Sequence, residues 1–150
     1  MDIGGTPAKV DNRKDKQIIP IDSPNYPAVL KENLTIKSSP PIVYMQGRKV
    51  LLNEYAVPIV GARKAGAKAL EFTDHVAKKS AKENKVVVSG FARGVDKQAL
   101  DSAIEANGKS IIVLPQGILT FQSGFRKYYE QIVNGNVLVL STFFPKAPWN

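Results

Sequence analysis

The sequence predicts an α/β protein built on a doubly wound, mostly parallel sheet with helices on both faces. Short runs rich in β-branched residues recur from Val57 onward, longer amphipathic segments alternate with them, and the connections are short. Right-handed crossovers follow from that order.

The elements read as follows. Residues 1–17 mix Gly, Pro, Lys and Asp without an apolar period and read as a flexible arm, leaving 18–150 as one domain. Prolines at 20, 24, 27, 40 and 41 argue against long regular elements between Ile18 and Pro41, although Tyr26, Val29 and Leu30 suit a short helix. Ile42–Met45 reads as a strand ending in the Gln46-Gly47 turn, and Val50–Leu52 as a short extended piece. Val57–Val60 is a strand. Ala65–Glu83 is a helix with apolar positions at Ala69, Phe72, Val76, Ala77 and Ala81, and lysines on its other face. Val86–Ser89 has the continuous β-branched run of a strand buried on both sides. Asp96–Ala106 is a helix stopped by Asn107-Gly108. Ser110–Leu114 is a strand, 115–124 a loop, Phe125–Val133 a helix stopped by Asn134-Gly135, and Val137–Leu140 a strand. The tail from Ser141 has no regular period.

Composition narrows the class of protein. With 150 residues, 43% of them hydrophobic, the chain can build a core. The lack of cysteine excludes disulfides and thiolate metal sites. No apolar run approaches the roughly 18 residues that span a bilayer, and the polar start lacks a signal peptide's apolar segment. A cytoplasmic protein without a membrane partner is expected. The net charge of +8 favours polyanionic partners through counterion release.

In α/β sheets ligands gather at the carboxyl ends of the strands. Two of those ends share a pattern. VPIVGARKAG runs from Val57 to Gly66, and VVVSGFARGVD from Val86 to Asp96; each passes from strand to glycine to arginine to helix. Such a loop at a helix N-terminus holds an anion. Gly61 and Gly90 let the backbone turn and approach a ligand. Arg63 and Arg93 offer charge-assisted contacts to phosphate oxygens, supported by Lys64 and Lys97, and the Ser89 hydroxyl is a further donor. Gly94 and Gly117 are counted with them as phosphate-binding loop glycines, although Gly117 could equally make only a tight turn. Asp96 either caps its helix or pairs with Arg93, and Phe125 supports the pocket. Phe121 and Phe125 flank a loop where bases stack or a core packs. Neither GxGxxG nor GxxxxGK[ST] occurs, so nicotinamide and ATP chemistry lack support, and no cofactor is expected. The single histidine, His75, sits mid-helix as a surface residue; no catalytic or metal-binding set is apparent.

These residues resemble the DprA or Smf family of DNA-processing proteins, whose central domain is Rossmann-like. The resemblance rests on Tyr26-Pro27-Ala28-Val29-Leu30, Val43-Tyr44-Met45-Gln46-Gly47, Ile59-Val60-Gly61-Ala62-Arg63, Val87 through Asp96, and Gly108 through Gly117, in the family's order. It implies non-catalytic binding of single-stranded DNA, with Arg63 and Arg93 as phosphate ligands and Ser89, Gly90 and Gly94 shaping the pocket. It also implies a homodimer and the loading of a RecA-type recombinase during DNA uptake. The chain departs from the family pattern at Ala99-Leu100, where Ala-His is usual, at Phe121-Gln122, where Tyr-Pro is usual, and at Ser141-Thr142, where Ser-Glu is usual. It stops before the family's Arg-Asn-Arg helix and so reads as a fragment or a divergent short member. Two alternatives share the same loops: a nucleotide-binding sensor or nucleotide-processing enzyme of the wider fold, and an assembly module whose pocket is vestigial.

Overall fold

A computed structural model describes residues 17–35 and 37–149. The arm expected over residues 1–17 lies outside the described residues except for Gln17, which belongs to a strand. Six strands form one sheet: β1 (Gln17–Pro20), β2 (Ile42–Gly47), β3 (Ala56–Pro58), β4 (Val86–Ser89), β5 (Lys109–Leu114) and β6 (Val137–Ser141). Their order is β1-β2-β6-β5-β4-β3. The four strands from β3 to β6 are parallel; β2 pairs antiparallel with β6, and β1 with β2. The helices are α1 (Ala28–Asn33), α2 (Ala67–Lys82), α3 (Val95–Glu105), α4 (Gln122–Lys127) and α5 (Tyr129–Val133). The mostly parallel α/β sheet with helices is therefore the Rossmann-like fold expected.

Alternation along the strands builds two cores. Val137 and Val139 face Leu100, Phe121, Phe125 and Ile132 beneath α3, α4 and α5. Leu138 and Leu140 face the other way, beside Ile19 of β1 and Met45 of β2, in the cluster that Tyr26 and Leu51 complete. All five residues of β6 are buried, as a strand between two neighbours and two cores requires. Among the described residues, no helix is long and apolar enough to cross a membrane.

The structure corrects four local expectations. Gln46-Gly47 is not a turn but the end of β2, paired with Val139 and Leu138. β1, by contrast, agrees with prolines that argued only against long elements. It is short, lies at the sheet edge and ends on Pro20, a position where a missing N–H costs no ladder bond. Val50–Leu52 is not extended but lies in a 3₁₀ helix, Lys49–Asn53, that drops Leu51 into the core. The helix expected at Phe125–Val133 begins earlier and is divided at Tyr128. That tyrosine is buried, its hydroxyl donates to the Asp101 carboxylate over 2.8 Å, and burial followed by this bond pushes its ionisation upward.

The fourth correction concerns the phase of α2. Its buried face is Thr73, Ala77, Ser80 and Ala81, whereas Phe72 is 68% exposed. Small residues face inward because α2 lies close against α3, where Ala77, Ala99 and Ala103 meet with Val87. The inward hydroxyls satisfy themselves: Thr73 donates to the Ala69 carbonyl and Ser80 to the Val76 carbonyl, each at 2.8 Å. Both helices close through an asparagine with φ of 57°, Asn84 after α2 and Asn107 after α3.

At the α2–α3 seam the Asp74 carboxylate accepts from the Ser102 hydroxyl at 2.7 Å and pairs with Lys78 at 3.1 Å. These bonds, Ser102 first, hold the Asp74 carboxyl below its ordinary range. A carboxyl held down in the folded state stabilises the fold above its unfolded pKa of about 3.9, and that contribution is lost as pH falls through the folded-state value. Asp74→Asn should therefore lower the urea midpoint at neutral pH, and the difference from the parent should vanish in strong acid. Leu100, fully buried beneath the α3 face, sets a second expectation. Leu100→Ala should cost about 2–5 kcal/mol of unfolding free energy in urea titrations.

Candidate phosphate site

The parallel strands end together, and the loops after β3 and β4 are tied to each other. The Ser89 hydroxyl donates to the Ile59 carbonyl at 2.5 Å. The Val95 amide donates to the Ala62 carbonyl at 3.2 Å. The Gly61 amide donates to Oδ1 of Asp96 at 3.1 Å. Gly94 has φ of +86°, and a side chain there would run into the carbonyl oxygens of Ala62 and Arg63. Only glycine meets both demands.

Two helices open on this corner, α2 after Gly66 and α3 after Gly94, and neither start carries a side-chain cap. At α3 the Val95 and Lys97 amides are given to the Ala62 and Ala92 carbonyls, so that start offers the positive end of its dipole and not a row of open amides; both starts still favour an anion. Asp96 lies in the first turn of α3 but serves the neighbouring loop. It accepts from Gly61 instead of capping its own helix, and among the described residues it forms no ion pair with Arg93. Gly90 leaves room for this carboxylate; a Cβ there would lie 2.6 Å from Oδ2.

The expected cations lie on the same two loops. Arg63, Lys64 and Arg93 are exposed, and none of them forms an ion pair among the described residues. Lys97, on the first turns of α3, is half-buried with its ammonium 5.7 Å from the centre of the Phe91 ring. The Arg63 guanidinium rests 4.7 Å from the centre of the Trp149 ring.

Three expected site residues have other work. The Ser89 hydroxyl is buried and spent on Ile59, so it ties strands together and is no free donor. The Gly117 amide is given to the Ala147 carbonyl at 2.8 Å, and a Cβ there would meet the carbonyl oxygens of Phe144 and Pro145. Gly117 seats the tail. Phe125 and Phe121 are both almost wholly buried, with ring centres 5.5 Å apart in an edge contact, so they build the core beneath the site and are not open to stack bases.

Sequence reasoning missed Trp149. Its approach to Arg63 depends on the path of an irregular tail, for which no local period exists. The only signal was its being the sole tryptophan.

Fold and loops together define a Rossmann-like module with paired strand-end loops, each carrying a cation beside a helix start. A model of the DNA recombination-mediator protein A family matches residues 17–150. The chain belongs to that family. It is 32% identical over 136 residues to protein Smf of Synechocystis, covering 87% of this chain and 33% of that protein. It is 32% identical over 123 residues to the DNA processing protein DprA of Streptococcus pneumoniae, covering 80% and 41%. The chain thus spans well under half the length of these relatives. The crystal structure of the Streptococcus pneumoniae protein superposes with a TM-score of 0.74 at 26% identity, over 91% of this chain and 47% of that one. DNA processing protein A from Helicobacter pylori, which has its own single-stranded DNA binding mode, superposes with a TM-score of 0.71 at 24% identity, over 91% and 60%.

The Asp96 contact sets an expectation for the site. Asp96→Ala should cost about 1 kcal/mol of stability and speed hydrogen exchange at the Gly61 amide, read by NMR. Unchanged protection of that amide would mean the two loops are held by other contacts.

Proposed function

We propose that this chain binds single-stranded DNA, without chemical turnover, through the phosphate backbone at the paired strand-end loops. The observation that carries the reading is the placement of Arg63, Lys64, Arg93 and Lys97 on two loops tied to each other and beside two helix starts that lack side-chain caps, with Asp96 already engaged by Gly61. Gly61, Gly90 and Gly94 shape the loops that carry these cations, and residues 18–150 act as one DNA-processing domain.

Membership of the recombination-mediator family supports a place in DNA processing. On the family resemblance of its motifs, we further propose a cytoplasmic homodimer that passes the bound strand to a RecA-type recombinase.

Equilibrium binding to a labelled oligonucleotide tests this. Affinity should fall steeply with salt, with a slope of about −0.7 in log K against log salt for each phosphate neutralised. Arg63→Ala and Arg93→Ala should each weaken binding about tenfold and flatten that slope by roughly one contact. Affinity indifferent to both substitutions would refute the site. A large thermal shift with a mononucleotide and none with the oligonucleotide would replace DNA by a small nucleotide as the ligand.

A further inference from the structure

The single tryptophan of the chain stands beside the first arginine of the site, and packing does not explain why. Trp149 is 43% exposed and belongs to none of the hydrophobic cores. It is nevertheless held by a fixed path. Beyond β6, the Ser141 hydroxyl donates to the Gln116 carbonyl at 2.6 Å and accepts from the Phe143 amide at 3.1 Å. The Leu119 amide donates to the Pro145 carbonyl at 2.9 Å, and the Gly117 amide to the Ala147 carbonyl. The tail thus leaves β6, is pinned to the loop after β5, and ends over the loop after β3. It crosses three strand spacings, on the order of 14 Å, along the carboxyl edge of the sheet.

We propose that Trp149 and Arg63 form a nucleotide subsite, in which the indole stacks an unpaired base and the guanidinium holds that nucleotide's phosphate. This inference rests on the nucleic-acid reading above and adds base contact to a site otherwise made of phosphate contacts. A guanidinium lying against an indole keeps its N–H donors in its own plane, directed away from the ring and open to phosphate oxygens. The exposed part of the indole offers a sequence-tolerant surface for a base. A base stacked in a duplex cannot use that surface, so the ligand is a single strand.

Because the protein has one tryptophan, its emission reports this subsite alone. The full chain is titrated with an unlabelled thymidine oligonucleotide while binding is followed in parallel by anisotropy of a labelled copy. Emission should change saturably, with the same midpoint as the anisotropy. Trp149→Ala should weaken binding about tenfold, and Trp149→Phe should recover most of the loss. On an abasic strand of equal length and charge, the parent and Trp149→Ala should bind alike. Binding that leaves the emission unchanged overturns the subsite while leaving DNA binding in place. So does an equal loss for Trp149→Ala on the abasic strand, which would make the indole a mere support for Arg63. No anisotropy change in the parent removes the nucleic-acid reading itself, and the subsite with it.

Discussion

The arrangement depends on one carboxylate. Asp96 accepts the Gly61 amide across the gap between two β–loop–α units. That clasp joins the Ser89–Ile59 and Val95–Ala62 bonds in tying the loops that carry Arg63 and Arg93, and it is the one made by a charged side chain. With it, and with Gly94 packed beneath the Ala62 and Arg63 carbonyls, the starts of α2 and α3 are fixed in relation to each other. The clasp also uses the one acidic group in the first turn of α3, so its charge is directed at a backbone amide and not at the nearby arginine. The cations therefore keep their donors for a ligand.

Stability alone would not place these charges where they are. The first turn of a helix favours negative groups, each by about 0.3–1 kcal/mol, and disfavours positive ones by similar amounts. Yet Arg63 and Lys64 precede α2 and Arg93 precedes α3, with no acid in the first turn of α2. A fold tolerates such small local penalties where function needs them. A bound phosphate reverses their sign, because an anion is favoured both by the dipoles and by the cations. The arrangement is thus mildly unfavourable when empty and favourable when occupied.

What the sequence revealed was local. The strand–glycine–arginine–helix pattern is written in contiguous residues, so the two loops and their cations were legible, as was the sheet that carries them. What escaped reading depends on distant contacts. The tail beyond Ser141 takes its path from the loop after β5, through Gly117 and Leu119, and no residue spacing encodes that. Gly117 looked like a ligand-facing glycine because close backbone approach has the same sequence signature whether the approaching group is a phosphate or the chain itself. The phase of α2 was misread for a related reason. Phe72 suggested an apolar face, but the tight α2–α3 seam selects small residues, and self-bonded Thr73 and Ser80 pass as polar surface in a sequence.

The tail and the clasp act on the same arginine from opposite directions. Asp96 fixes the backbone from which Arg63 projects, and Trp149 restricts the side chain at its far end. Arginine carries about 2 kcal/mol of rotamer entropy, part of which a ligand must offset on binding. Ordering the guanidinium in advance removes some of that cost, and the fold meets it through the hydrogen bonds that seat residues 141–147. Arg93 has no such contact among the described residues and remains exposed. The two arginines are thus unequal, one held in advance and one adaptable, so a strand lying across both meets a fixed anchor at β3 and a yielding one at β4.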